Sequence, residues 1–221
     1  MFSPNDVDVQ ALWNEHYSCW FPIIHHTFFD PTEQANPQHK ILWKAMKAAV
    51  TLRVDALAND YRRALSRWLQ DEVTAKAMSN FSLNSIQALL VICNLGYGEG
   101  ETDRFLSLMA ICQRMSLQIG LRDTCDTTIQ DIQRATALHS YINNGTNPAI
   151  AREECIRTFW VVEMLDIIST TGSPYGRPSL SQPPLGLLPC RDSIWALSKP
   201  PPTIPQPEPL ATRLGSVSVS T

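Results

Sequence analysis

Breakers are what this sequence has least of. No proline occurs between Gln38 and Asn147, and from Gln38 to Leu95 there is no glycine either. So long a stretch without either residue excludes a fold built from short strands and tight turns and argues for stacked helices. Paired cysteines are absent too. Six cysteines are present (Cys19, Cys93, Cys112, Cys125, Cys155, Cys190), but the closest two lie 13 residues apart, so there is no C-x-x-C pair to chelate a metal. Most of those thiols read as buried residues in a reducing compartment. No basic, apolar leader opens the chain and no run of 18 apolar residues occurs, which disfavours secretion and membrane spanning and points to an intracellular soluble protein. Positive charge is not in excess: 18 Lys and Arg stand against 21 Asp and Glu, a net charge of -3, so no whole-molecule field draws the chain to nucleic acid. Nucleophile elbows, phosphate loops, H-E-x-x-H and paired aspartates are all missing, so no catalytic residue, cofactor-binding residue or metal ligand is assigned.

What remains is 221 residues with 44% hydrophobic content, enough for one domain with a sizeable core. From Gln38 to about Asp55, Ile41, Ala45, Ala48 and Leu52 form a stripe, with Lys40, Lys44 and Lys47 on another face. A second helix over about Leu57 to Met78 is expected to turn Tyr61, Leu65, Trp68 and Leu69 inward and leave Arg62, Arg63 and Arg67 to solvent. Asn84 with Gln87 resembles a capping box ahead of SIQALLVICNLG, whose nearly continuous apolar content predicts a central helix. After the turn GYGEGETD, the segment Arg104 to Ile119 carries Leu108, Ile111, Met115 and Ile119 on one stripe and ends at Gly120, an antiparallel hairpin with its predecessor. A last long helix from about Ile150 to Ser169 runs through Ile156, Phe159, Trp160, Met164 and Ile167. The expected fold is therefore all-α, an irregular stack of antiparallel helices over residues 4–195. Residues 196–221, where KPPPTIPQPEPL holds six of the 16 prolines, are expected to form a disordered proline-rich C-terminal tail.

Few residues carry a specific signal. His25 and His26 are adjacent, so on a helix they point about 100° apart, and no carboxylate or cysteine stands at ligand spacing; they read as a helix-terminal or partly buried pair. Cys93 and Cys112, on the two hairpin helices, are placed to face each other in the core. Between Lys40 and Lys76, eight basic residues stand against Asp55, Asp60, Asp71 and Glu72, a local excess of four spread over two helices. Such a spread reads as a solvated face rather than a DNA-reading element. Asp166 lies inside the apolar run WVVEMLDIIS and needs a partner if buried. Arg177, in the GRP that follows, is the expected partner in a structural ion pair fixing the turn, and Trp160 is expected to be a core residue beside Ile156 and Met164.

Four stretches together resemble one family. WFPIIHHTF (Trp20 to Phe28), SIQALLVICNLGYGEGETDRFLSLMAICQRMSLQIGLRD (Ser85 to Asp123), REECIRTFWVVEMLDIISTTGSPYGRP (Arg152 to Pro178) and LPCRDSIW (Leu188 to Trp195) are similar, in order and spacing, to the fungal-specific transcription factor domain, the middle homology region of fungal zinc-cluster regulators. The chain starts directly in that region, without the family's N-terminal zinc cluster, and Ile167 stands where arginine usually follows the aspartate. The resemblance implies a non-enzymatic transcription regulator in the nucleus, with a secondary-metabolite biosynthetic gene cluster as an expected target. It implies action through other transcription factors or co-regulators, with a homo- or heterodimer among the expected assemblies and DNA reached only indirectly or weakly. The alternative class is a small helical ligand-binding protein or enzyme, which convergent polar residues in one closed pocket would favour.

Overall fold

The computed structural model describes residues 8–30, 39–126, 148–170 and 188–197. Every regular element among them is helical, and the protein is all-α: α1 (Val9–His16), a 3-10 turn (His26–Phe29), α2 (Lys40–Thr51), α3 (Asn59–Ser79), α4 (Leu83–Gly98), α5 (Thr102–Gln118), α6 (Leu121–Asp126), α7 (Pro148–Thr170) and the single turn α8 (Asp192–Trp195). Two compact units divide within α5, Met1–Met115 and Ser116–Thr221. The proline-rich tail and Arg177 lie outside the described residues.

In the first unit α4 is the centre. Ile86, Ala88, Leu89, Leu90, Ile92 and Cys93 are fully buried, so the nearly continuous apolar content does report burial on most sides. Its N-cap is Ser82, whose side chain accepts from the Ser85 amide at 3.2 Å, two residues before the capping box read from Asn84 and Gln87. Gln87 is spent elsewhere: its Nε2 donates to the Ile23 carbonyl at 2.9 Å, tying the buried Phe21 to Phe29 segment to the central helix. At the other end the Glu101 amide donates to the Gly96 carbonyl and the Gly100 amide to the Tyr97 carbonyl. Gly100 stands at φ 76°, the left-handed residue that this pair of bonds requires.

Helix α2 packs against α1, α3 and α4. Its buried residues include Ala45, Ala48 and Ala49, small enough for close backbone approach. Tyr17 at the end of α1 donates its hydroxyl to the Ala49 carbonyl at 3.0 Å, and Ser66 of α3 donates to the Ala48 carbonyl at 2.8 Å. These buried backbone acceptors are thus given second partners from neighbouring helices.

Of the residues expected inward on α3, Leu69 is buried and Leu65 partly covered, but Tyr61 and Trp68 are not, and the face is rotated. Ser66, Leu69, Gln70, Val73 and Ala77 are buried, while Tyr61 and Trp68 are exposed, Trp68 to 61%. Against the alanine surface of α2 there is room for serine and alanine but not for an indole, and the polar Ser66 and Gln70 are hydrogen-bonded to each other at 3.2 Å. Helix α5 buries Phe105, Leu108, Met109, Cys112 and Met115, with Ile111 only partly covered.

The second unit holds α6, α7 and α8, with α6 packed on α7. Gly120, at φ 70°, ends the long helix, and α6 begins at once on its far side. Pro148 opens α7, where its missing N–H costs no helical hydrogen bond. Ile156 and Phe159 are buried as expected, but Trp160 is half-buried and Met164 and Ile167 are exposed. The buried side instead runs through Cys155, Thr158, Val162 and Leu165, so the expected stripe was rotated off the true face.

Candidate functional site

The most concentrated polar chemistry lies on the first half of α7. Glu153 and Arg157, one turn apart, are both buried, and Arg157 Nε donates to Glu153 Oε1 at 2.9 Å. Arg157 reaches the segment Leu188 to Trp195 with its remaining donors: Nη2 donates to the Cys190 carbonyl at 2.8 Å, and Nη1 and Nη2 both reach Asp192 Oδ1 at 3.1 Å. Glu153 Oε1 also accepts from the Cys190 amide at 2.7 Å. The guanidinium lies 4.7 Å from the Trp195 ring centroid, a cation-π stack. Ala149, Ile150, Cys190 and Trp195, with Ile194 against them, form an apolar patch beside it. One arginine thus clamps a strand-like segment and the turn α8 onto α7, with its charge balanced by a buried carboxylate on one side and the exposed Asp192 on the other.

Burial, then the neighbouring Glu153 carboxylate, pushes the Cys190 thiol up to about 11, so it remains a neutral thiol at physiological pH. Cys155 is raised well above the ordinary thiol value by burial, and Arg152 is lowered, again chiefly by burial. Arg157 also reaches the Cys190 sulfur at 3.8 Å, but burial and the Glu153 carboxylate outweigh it, so among the described residues of this cluster no thiol is held below its ordinary value. The arrangement holds two segments together.

The residues singled out in the sequence fall around this clamp without forming it. Asp166 is buried near the end of α7, and its main-chain carbonyl accepts from the hydroxyls of Ser169 at 2.7 Å and Thr170 at 3.0 Å. Its expected partner Arg177 lies outside the described residues. Trp160 packs edge-on against Phe159, with ring centroids 5.7 Å apart, at the border of the core. Glu153, Arg157 and Asp192 were not singled out, although the i, i+4 spacing of a carboxylate and an arginine on a largely apolar helix is a signal for such a pair.

In the first unit five basic residues are paired with carboxylates. Arg62 meets Asp55 at 3.3 Å, Arg67 forms a bidentate pair with Glu101, and Glu72 accepts from both Lys44 and Lys76. The hydrogen bond from Lys44 holds the Glu72 carboxyl below its ordinary value. Arg104 bridges Asp71 at 2.9 Å and Glu101 at 3.7 Å. These pairs offset part of the local positive excess, while Lys40, Lys47 and Arg63 stand outside them.

His25 caps the 3-10 turn, its Nδ1 2.8 Å from Thr27 Oγ1. No group of three His, Cys, Asp or Glu among the described residues is arranged to hold a metal ion. Cys93 and Cys112 do meet, as a hydrogen-bonded pair of free thiols; that contact and burial raise Cys112 well above the usual thiol range. An open pocket of about 240 Å³ is lined by Phe28, His39, Lys40, Trp43 and Lys44. It is smaller than typical ligand cavities of about 300 to 1,000 Å³. No described helix is long and apolar enough to cross a membrane.

Comparison with known proteins places these features. The chain is 32% identical over 190 residues to the notoamide biosynthesis cluster transcriptional coactivator of Aspergillus versicolor, an alignment covering 86% of this chain and 34% of that protein. The chain therefore spans about a third of the length of the curated relative it matches. No solved structure matches. The model of the fungal specific transcription factor domain matches residues 9–207, a span that takes in α1 to α8 and the clamp, and the chain belongs to that family.

Proposed function

We propose that this chain regulates transcription in the fungal nucleus as a helical module that works through protein contacts, with a biosynthetic gene cluster as its target. The observation that carries the reading is the family match over residues 9–207. The similarity to a coactivator of a biosynthetic cluster supports the choice of target. Contact through proteins rather than DNA follows from charge and from the helices. Specific DNA binding needs phosphate-neutralising charge and an element that reads base edges. In this chain the net charge is -3, no C-x-x-C pair is present, and four of the seven basic residues of α2 and α3, Lys44, Arg62, Arg67 and Lys76, are engaged by Glu72, Asp55 and Glu101. Asp166 with Arg177 and the half-buried Trp160 belong in this reading to the support of α7 and the turn after it, not to chemistry.

On its own the chain should bind duplex DNA no better than about 10⁻⁴ M near physiological salt. Expression of the chain in its host should change transcription of the target cluster only while a DNA-binding zinc-cluster factor that it contacts is present. Sequence-specific, sub-micromolar DNA binding by the isolated chain would refute the protein-contact mechanism, as would a transcriptional effect that survives deletion of every interacting factor.

A further inference from the structure

Helix α3 carries a second stripe, on the side away from its core face. Tyr61, Ala64, Trp68, Asp71, Ala75 and Met78 are all exposed, and their spacing alternates three and four residues across 18 residues. At 100° per residue this stripe centres opposite Ser66, Leu69, Gln70, Val73 and Ala77, the residues that pack on the rest of the unit. A 3.5-residue repeat of this kind makes a seam for another helix, whereas a helix face meant for water is charged along its length.

The order of residues along the seam selects the partner. About the peptide joining Leu69 and Gln70 its outer layers are alike from either end and its centre is complementary: Tyr61 answers Met78, Ala64 answers Ala75, and the indole of Trp68 answers the ion-paired Asp71. Only an antiparallel copy of the same helix sets each position against its counterpart, large apolar at the ends, small in the next layer. In the central layer Asp71 is held at 2.9 Å by Arg104, so each chain presents an ion-paired guanidinium beside the place where the indole of the other copy would lie. We propose that this stripe is a self-association surface, on which a second copy of the chain docks its α3 antiparallel about a two-fold axis at the Leu69–Gln70 peptide. The isologous contact closes on itself and limits the assembly to a dimer. The exposed Trp20, at 80%, belongs to no such stripe.

The exposed parts of Tyr61, Trp68 and Met78 with the two alanines amount to roughly 500 Å² per chain. Two copies would bury on the order of 1,000 Å², the lower end for specific complexes, so the dimer is weak, with a dissociation constant on the order of 10 to 100 µM. The inference deepens the reading of the chain as a protein-contact module and rests on it for biological meaning alone. Association is measured on the purified protein, so it can fail while the transcriptional role stands, and the reverse.

The test uses the 221-residue chain with its exposed Cys19 changed to serine. Sedimentation equilibrium should show a reversible monomer–dimer equilibrium, and Trp68→Glu should weaken it at least tenfold with an unchanged circular dichroism spectrum. Orientation is read by cross-linking under oxidised glutathione. Ala64→Cys mixed with Ala75→Cys should give a disulfide-linked dimer. Ala64→Cys alone should not, because an antiparallel pair holds the two copies of position 64 about 17 Å apart, beyond the roughly 7 Å a disulfide spans. A chain that stays monomeric to about 200 µM, twice the upper end of the expected range, would overturn the proposal. So would cross-linking of Ala64→Cys to itself, or mixed cross-links that form equally well with Trp68→Glu.

Discussion

Helices α3 and α7 both carry arginines paired with carboxylates, and they put the same chemistry to different use. On α3, Arg62 and Arg67 meet Asp55 and Glu101 at the surface, where solvent screens each pair and either side chain can be lost at small cost. On α7, Arg157 and Glu153 are out of water, and the arginine's other donors are committed to Cys190 and Asp192. There an isolated charge would be expensive, so the pair works only as a complete set. Burial, rather than the pairing as such, decides whether an ion pair is a fold determinant.

The sharpest way to break that comparison is Arg157→Ala. It strands the Glu153 carboxylate in the core and should cost about 3 to 5 kcal/mol, read as a lowered urea midpoint. Alkylation of Cys190 should also speed up, since its cover of Arg157 and Trp195 is lost. A midpoint shift no larger than that of Arg67→Ala would show the clamp to be dispensable.

Trp160 tests the border of the same helix. A fully buried indole would be worth about 3 to 5 kcal/mol on truncation. Half-buried at the edge of Phe159, Trp160→Ala should cost roughly 1 to 2 kcal/mol, and a loss as large as that of Arg157→Ala would place the indole deep in the core.

The smallest effect is expected at the surface. Glu72→Gln should cost under about 1 kcal/mol at neutral pH. Because Lys44 and Lys76 hold the folded carboxyl below 4.5, the stability it contributes is present above that value and is lost as pH falls through the folded pKa. The denaturation midpoints of wild type and variant should therefore differ at pH 7 and converge as the pH falls through the folded pKa of Glu72. A difference that persists in acid would mean that packing, not charge, is at work.

Much of the architecture was legible before any coordinates. The all-α class and the central position of α4 followed from the missing breakers and from an apolar run with no wet side, and Gly120 marks a helix end in the structure as in the sequence; the turn expected over Gly96 to Asp103 shrinks to Glu99 to Glu101, because α4 runs on through Gly98. The phase of the amphipathic helices was harder. On α3, a face through Tyr61, Leu65, Trp68 and Leu69 is as good on paper as one through Ser66, Leu69 and Val73. Close approach to the alanines of α2, where Ser66 donates to the Ala48 carbonyl, decides between them and leaves Tyr61 and Trp68 outside. On α7, Asp166 stands out in the sequence because it interrupts an apolar run, while Glu153 and Arg157 are flanked by Arg152, Glu154 and Thr158, which mask the buried pair.

By itself, then, the sequence determined the helical class, the approximate ends of the helices and the family, because these depend on local backbone preferences, on periodicity and on the order of motifs along the chain. Only the tertiary structure decided which face of each helix is buried and which charges are withdrawn from water. Those outcomes depend on residues distant in sequence: the backbone of α2 beneath Ser66, and a cysteine carbonyl 33 positions beyond Arg157. A single helix carries no record of what will pack against it, so the clamp and the unpaired stripe of α3 became visible only once the neighbours were in place.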